Sequence, residues 1–242
     1  SVPGDGADGF GAELVAAPET AFTRIPEGWS FEEAATLPCA ALTDWRGIVA
    51  EGKIKPGDWV LTQGTGGVSI FALQLAKAAG CRVISTSSSA EKLEKLKALG
   101  ADHVIDYNRQ DFVSEILEIT DKRGVDVILD MVGGDYVERN WKVAAVEGRI
   151  CQIATLNGVS EQVNFSRLMV KRLTHTGSTL RPRDTAFKAA IAEKLAQKVW
   201  PLIEAGTIAP VMDSTFPLAD AAKAHARMES SGHIGKIVLS LE

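Results

Sequence analysis

Three stretches of the chain carry residue types and spacings from which chemistry could be built. The first is Gln63, Gly64, Thr65, Gly66, Gly67, Val68 and Ser69, directly after the apolar run Trp59, Val60, Leu61, Thr62. Glycines in such a turn let the backbone reverse sharply and approach a pyrophosphate, whose charge is stabilised by the free amides and dipole at the start of the following helix. The third position of the G-x-G-x-x-G pattern is Ser69, small enough for the close helix-to-strand contact that glycine usually serves. A glycine-rich turn alone is often only a tight turn, but here strand, turn and helix follow in the order that dinucleotide binding requires.

The second stretch lies about 20 residues further on, where an acidic side chain would hold the ribose hydroxyls of NAD. The chain instead offers Ser85, Thr86, Ser87, Ser88 and Ser89, followed by Lys92. A carboxylate repels a 2′-phosphate, whereas hydroxyls and an ammonium hold one, so the pattern favours NADP(H). The plainer reading is that Ser88 and Glu91 form a capping box for the next helix and that Lys92 is merely solvated. Both can hold at once.

The third set is Cys39, Cys81 and Cys151 with His103, His175, His225 and His233. An odd number of widely separated cysteines among apolar neighbours is not a disulfide framework, and it fits a reducing compartment such as the cytoplasm. A catalytic zinc needs three converging ligands, and the histidines show no ligand spacing with Cys39. Cys39 is read as a small buried thiol, and no metal is expected. No Ser/His/Asp set or paired carboxylate stands out, so no catalytic acid is assigned.

The elements that position these groups are legible from periodicity. From Lys55 onward, short β-branched or apolar runs alternate with helical patterns, as in a parallel sheet covered on both faces. Strands are expected at 59–63, 82–86, 103–106, 126–130, 149–154 and 173–178. Helices are expected at 67–79, 89–98, 110–120, 135–144 and 163–171. The resulting fold is α/β, a doubly wound Rossmann sheet of six strands. In the first helix Val68, Phe71, Ala72, Leu75, Ala76 and Ala79 form the inward stripe, closed by Gly80; in the second it is Leu93, Leu96 and Leu99, closed by Gly100. A helical pattern over 184–205 should kink at Pro201. It precedes a strand at 211–216, a helix at 218–229 and a strand at 235–240.

At 242 residues and 45% hydrophobic content the chain can bury a full core. A net charge of -5, from 31 acidic and 26 basic residues without a like-charge run, argues against nucleic-acid or anionic-membrane partners. No apolar stretch approaches the ~18 residues needed to span a bilayer. The first residues lack the basic start and apolar core of a signal peptide.

On these residues the chain resembles the medium-chain dehydrogenase/reductase superfamily. Ala35 to Trp45, Val60 to Gly80 and Leu99 to Tyr107 look like its alcohol-dehydrogenase-like branch. Asp126 to Tyr136, Leu168 to Asp184, Trp200 to Gly206 and His233 to Leu239 look like its zinc-free NAD(P)H:quinone oxidoreductases. The resemblance implies that residues 39–205 are the dinucleotide-binding domain and that 1–38 and 206–242 are remnants of a GroES-like substrate domain, most of which would precede Ser1. It implies pyrophosphate contacts from Gly66, Gly67 and Val68, and a 2′-phosphate surrounded by Ser87, Ser88, Lys92 and Tyr107. Val132 and Gly133 would lie along the cofactor and Ile153, Ala154 and Thr155 at the nicotinamide side. Thr43 would pack beneath the nicotinamide, and Lys236 would sit in the segment closing over it. Cys39 falls where zinc-dependent relatives place one zinc ligand.

The expected function is NADPH-dependent hydride transfer to a quinone or other conjugated carbonyl, without zinc. A zinc-type alcohol dehydrogenase and a truncated, non-catalytic NADP-binding module are the alternatives. Strand 173–178, at the sheet edge, is expected to join a homodimer, and proline at Thr176 to disrupt that pairing.

Overall fold

Six strands pair into one parallel sheet whose two faces are filled by alternate residues of the same strands. The structure is a computed structural model that describes residues 14–16, 19 and 22–241. The strands are β1 (Trp59–Gln63), β2 (Arg82–Ser87), β3 (His103–Asp106), β4 (Val125–Asp130), β5 (Ala144–Gln152) and β6 (Thr174–Gly177), in the order β3-β2-β1-β4-β5-β6. This is the doubly wound order, whose winding reverses between β1 and β4.

On one face Val60, Val83, Val127 and Leu129 meet helices α2 (Leu37–Asp44), α3 (Gly67–Ala78) and α8 (Thr185–Lys198). On the other, Leu61, Ile84, Ile105, Ile128 and Ile150 meet Phe112 and Ile116 of α5 (Phe112–Ile119) and Trp141 of α6 (Tyr136–Val143). Side chains that alternate across a strand thus build two cores at once, which is why the strands read as continuous apolar runs. α1 (Phe31–Ala35) carries a complete capping box from Ser30 and Glu33, and a π-helical turn, Trp45–Glu51, extends α2. α4 (Ala90–Ala98) and α7 (Phe165–Val170) complete the crossovers, and α9 (Trp200–Glu204) follows α8. Beyond them β7 (Met212–Pro217), α10 (Ala221–Glu229) and β8 (Lys236–Ser240) form a small parallel pair. Among the described residues no helix is long and apolar enough to cross a membrane.

Several expectations need correction. The stripe in α3 widens to a helix buried almost all round, with Ser69, Ile70, Leu73 and Gln74 also covered and Val68 and Ala79 only half-buried; it is pressed between sheet, α2 and the C-terminal segment. In α4 only Leu96 is fully buried, because that helix covers the sheet's end. The cap of α4 is Ser89, whose side chain accepts the Lys92 amide, not Ser88 with Glu91. β5 starts earlier than expected and stops at Gln152, leaving Ile153–Thr155 in a turn. Pro201 starts a separate helix: α8 ends at Lys198, and the proline occupies the first turn of α9, where its missing N–H costs nothing. Cys39 is exposed rather than buried, since α2 turns Leu37, Ala40, Ala41 and Asp44 inward instead.

Candidate functional site

A cleft of about 550 Å³ opens at the carboxyl ends of β1, β2 and β4, where the winding reverses. Its floor is the glycine turn. Gly64 adopts φ +89°, a conformation few other residues tolerate, and its amide donates to the Thr86 carbonyl at 2.8 Å. Ser69 Oγ donates to the Gln63 carbonyl at 2.6 Å, so serine here ties helix to strand by a hydrogen bond. Gly66 is the N-cap of the 12-residue α3 and brings no side chain to the first amides. Those amides and the helix dipole are left for an anion.

The C-terminal segment closes over this turn. Gly235 donates its amide to the Thr65 carbonyl at 2.8 Å and pairs with Gly66. The aliphatic chain of Lys236 crosses Gly67, where any Cβ would run into it. A side chain at 67 would have to push the flexible Lys236 chain aside.

At the end of β2 the hydroxyls divide. Ser85 Oγ is buried against Thr62 Oγ1 at 2.7 Å, and Ser89 caps α4. Thr86, Ser87 and Ser88 face the cleft together with Lys92 and Tyr107. Lys92 Nζ donates to the Ser231 carbonyl, and burial together with the Arg227 charge holds its ammonium below the usual lysine range. His233 lines the same end; its Nδ1 is buried without a partner, and burial lowers its pKa.

The opposite wall rests on a buried network. Asp130, fully buried at the end of β4, accepts the amides of Val132 at 2.7 Å and Gly133 at 3.0 Å with one oxygen and Asn140 Nδ2 at 3.0 Å with the other. Asn140 Oδ1 in turn accepts Gln63 Nε2 at 2.9 Å. The turn after β4 is thus locked to β1 through α6. It also lies flat on the turn after β5: the amides of Leu156 and Asn157 donate to the carbonyls of Met131 and Val132 at 3.1 and 2.7 Å. Gly133, at φ +69°, leaves just the room that Thr155 occupies.

Of the residues singled out in the sequence, Gly66, Ser87, Ser88, Lys92, Tyr107 and Val132 share this cleft. Thr43 and Ile153 line a neighbouring cavity of about 330 Å³ with Ser178, Thr179, Leu180 and Arg181, beyond the ends of β5 and β6. Gly67 and Lys236 meet in a narrow crevice beside Leu37 and Ala40. Val68, Gly133, Ala154 and Thr155 line none of these three spaces. Sequence reasoning missed Asp130, Asn140, His233 and the Leu156–Asn157 turn. An aspartate ending the apolar run Val127–Leu129 was a signal for the first; the others come close only through tertiary packing.

The residues at 99–239 match the family model described as zinc-binding dehydrogenase. The chain is 35% identical over 238 residues to a zinc-type alcohol dehydrogenase-like protein of Schizosaccharomyces pombe, covering 97% of this chain and 67% of that one. It is 33% identical over 218 residues to a phenolphthiocerol/phthiocerol polyketide synthase of Mycobacterium tuberculosis, covering 90% of this chain and 10% of that protein. Among solved structures, an NAD-dependent alcohol dehydrogenase superposes with a TM-score of 0.88 at 34% identity, over 98% of this chain and 66% of its own. The quinone oxidoreductase of Thermus thermophilus, solved also with NADPH, superposes with a TM-score of 0.85 at 32% identity, over 98% and 75%. The chain therefore spans about two thirds of the alcohol dehydrogenase-like relatives and a tenth of the polyketide synthase.

Proposed function

Because the chain belongs to the medium-chain dehydrogenase/reductase superfamily of oxidoreductases, we propose that it binds NADPH in the cleft between β1 and β4 and reduces a quinone or other conjugated carbonyl. The observation that carries this reading is the cleft itself: uncapped amides at the start of α3 at one end, and hydroxyls with an ammonium but no carboxylate at the end of β2. Relatives point both ways on cofactor, one alcohol dehydrogenase being NAD-dependent and the quinone oxidoreductases having been solved with NADPH; the chemistry at Ser87, Ser88 and Lys92 decides for the phosphorylated form.

In this reading Gly66, Gly67 and Val68 present amides to the pyrophosphate, and Ser87, Ser88, Lys92 and Tyr107 surround the 2′-phosphate. Val132 and Gly133, held by Asp130, support the middle of the cofactor. Ile153, Ala154 and Thr155 face the nicotinamide, with Thr43 beneath it and Lys236 closing the segment above. The bound nicotinamide supplies the hydride, and the protein contributes orientation and exclusion of water. The cavity lined by Thr43 and Ile153 is where a small carbonyl substrate would meet it.

Zinc fits less well. A catalytic zinc takes three converging ligands, and among the described residues no group of three His, Cys, Asp or Glu side chains comes together. His103 packs on Trp59, His175 is engaged by Trp141, and Cys39 stands exposed on α2. Thiols at Cys39, Cys81 and Cys151, all free, accord with the cytoplasm, and the edge strand β6 with a homodimer.

The test is a fluorescence titration with NADPH and NADH, repeated with Lys92→Ala. The expected result is NADPH preference in the wild type that falls about tenfold in the variant, the worth of one charged hydrogen bond, with NADH unaffected. Binding of neither nucleotide overturns the reading, and stoichiometric zinc at Cys39 would replace it with the alcohol dehydrogenase alternative.

A further inference from the structure

Between α6 and the edge strand runs a chain of hydrogen bonds whose direction is fixed by one indole. Trp141, 3% exposed, donates its Nε1–H to His175 Nδ1 at 2.8 Å, the rings meeting edge to face at 81°. An indole nitrogen only donates, so Nδ1 is the unprotonated ring nitrogen and the hydrogen sits on Nε2. That nitrogen lies 3.2 Å from Gln152 Oε1, which accepts it. The orientation of Gln152 follows: its Nε2 donates to the Ala154 carbonyl at 2.6 Å and to the Asp130 carbonyl at 3.3 Å. The Asp130 carbonyl also receives the Ile153 amide at 2.8 Å. The chain therefore ends on the turn 153–155, and its first link, the indole donation to Nδ1, needs a neutral imidazole. A second ring proton would set N–H against N–H at Trp141.

We propose that His175 is a positioning residue that holds the Ile153–Thr155 turn in place for the nicotinamide and releases it when protonated. This rests on the cofactor reading above and adds to it a control on the reduced end of the cofactor. Burial holds the ring below the usual histidine range, and among the described residues the charge acting on it is the Asp130 carboxylate of β4, which works in the opposite sense. The other contacts, Trp141 from α6 and Gln152 from β5, are uncharged. A histidine depressed in the folded state contributes its full share above the unfolded value near pH 6.5 and loses it as pH falls through the folded value. The turn is therefore set at neutral pH and loosens in acid.

His233, whose pKa burial also lowers, and the 2′-phosphate of the cofactor are further titratable groups at the cleft, so the test compares variants. NADPH and NADH are titrated against wild type, His175→Gln and His175→Phe between about pH 5 and about pH 8, with thermal unfolding of each. Glutamine offers a carbonyl and an N–H but does not titrate. It is expected to keep the affinity at high pH within about twofold and to lose the part of the acid weakening that belongs to His175. Phenylalanine fills the space without hydrogen bonding, and both nucleotides are expected to bind it about fivefold more weakly at high pH. Superimposable pH curves for wild type and His175→Gln, or wild-type affinity in a folded His175→Phe, overturn the positioning role and leave the cofactor reading standing. If His175→Phe does not fold, the glutamine comparison decides alone. A wild type that binds neither nucleotide at any pH overturns the cofactor reading itself.

Discussion

Asp44 is a residue the site does not use and the core does not welcome. It is fully buried in α2, and neither carboxyl oxygen has a hydrogen-bond partner of good geometry. Burial holds its pKa well above the usual carboxylate range, reinforced by Cys39 and only partly relieved by Lys236 and the backbone of Ala72. A raised acid contributes its stability below the unfolded value near pH 4 and loses it as pH rises towards the folded one. At neutral pH the side chain is thus a cost of about 1–3 kcal/mol, the usual penalty for an unpaired buried polar group. Asp44→Ala should raise the urea midpoint at neutral pH, by less than that sum because a small void is left, and the gain should shrink as the pH is lowered towards 4. A destabilised variant at neutral pH would mean that Asp44 has a partner.

At the scale of elements, the turn after β4 shows what periodicity reveals and what it hides. The apolar run Val127–Leu129 announces a strand buried on both faces, and the alternation of runs with helices announces the parallel order. The glycine turn is equally plain, because its constraint is local: a sharp reversal before a helix. What periodicity does not carry is the fate of Asp130, since Gln63, Asn140 and Gln152 are scattered over the chain and meet only when β1, β4, β5 and α6 are packed. The end of β5 is misread for the same reason; Ile153 and Ala154 continue its apolar pattern, but their amide and carbonyl are taken by Asp130 and Gln152. The network also makes a graded prediction. Asp130→Asn keeps the oxygen that accepts Val132 and Gly133, and amide flips of Asn140 and Gln63 can accommodate the new donor, because Gln63 Oε1 is itself unpartnered. It should cost about 1 kcal/mol. Asp130→Ala leaves three donors without acceptors and should cost several times as much. Equal losses by urea unfolding would show that the turn is held by packing rather than by the carboxylate.

For the whole molecule, the open question of covering falls on β6. It is the end strand of the sheet, and an unpaired edge invites a partner. Beside it α7 leaves Phe165, Met169 and Val170 at 67%, 72% and 67% exposure, more apolar surface than an isolated edge needs. Both features suit the proposed homodimer, in which the two edge strands meet and the apolar faces of α7 are buried alongside them. The backbone tells which residue tests it. Ser178 donates its amide inward to the Gln152 carbonyl, so by strand alternation Thr176 also points inward and His175 and Gly177 point out. Proline at Thr176 would therefore break the β5–β6 ladder within one chain, contrary to the expectation from sequence. Gly177→Pro removes only an outward amide. It should convert a dimer into a monomer by sedimentation while leaving the far-ultraviolet spectrum and NADPH affinity at high pH nearly intact. A variant that remains dimeric would move the interface away from this edge. A wild type that is already monomeric at tens of micromolar would leave α7 exposed, a surface then prone to aggregate.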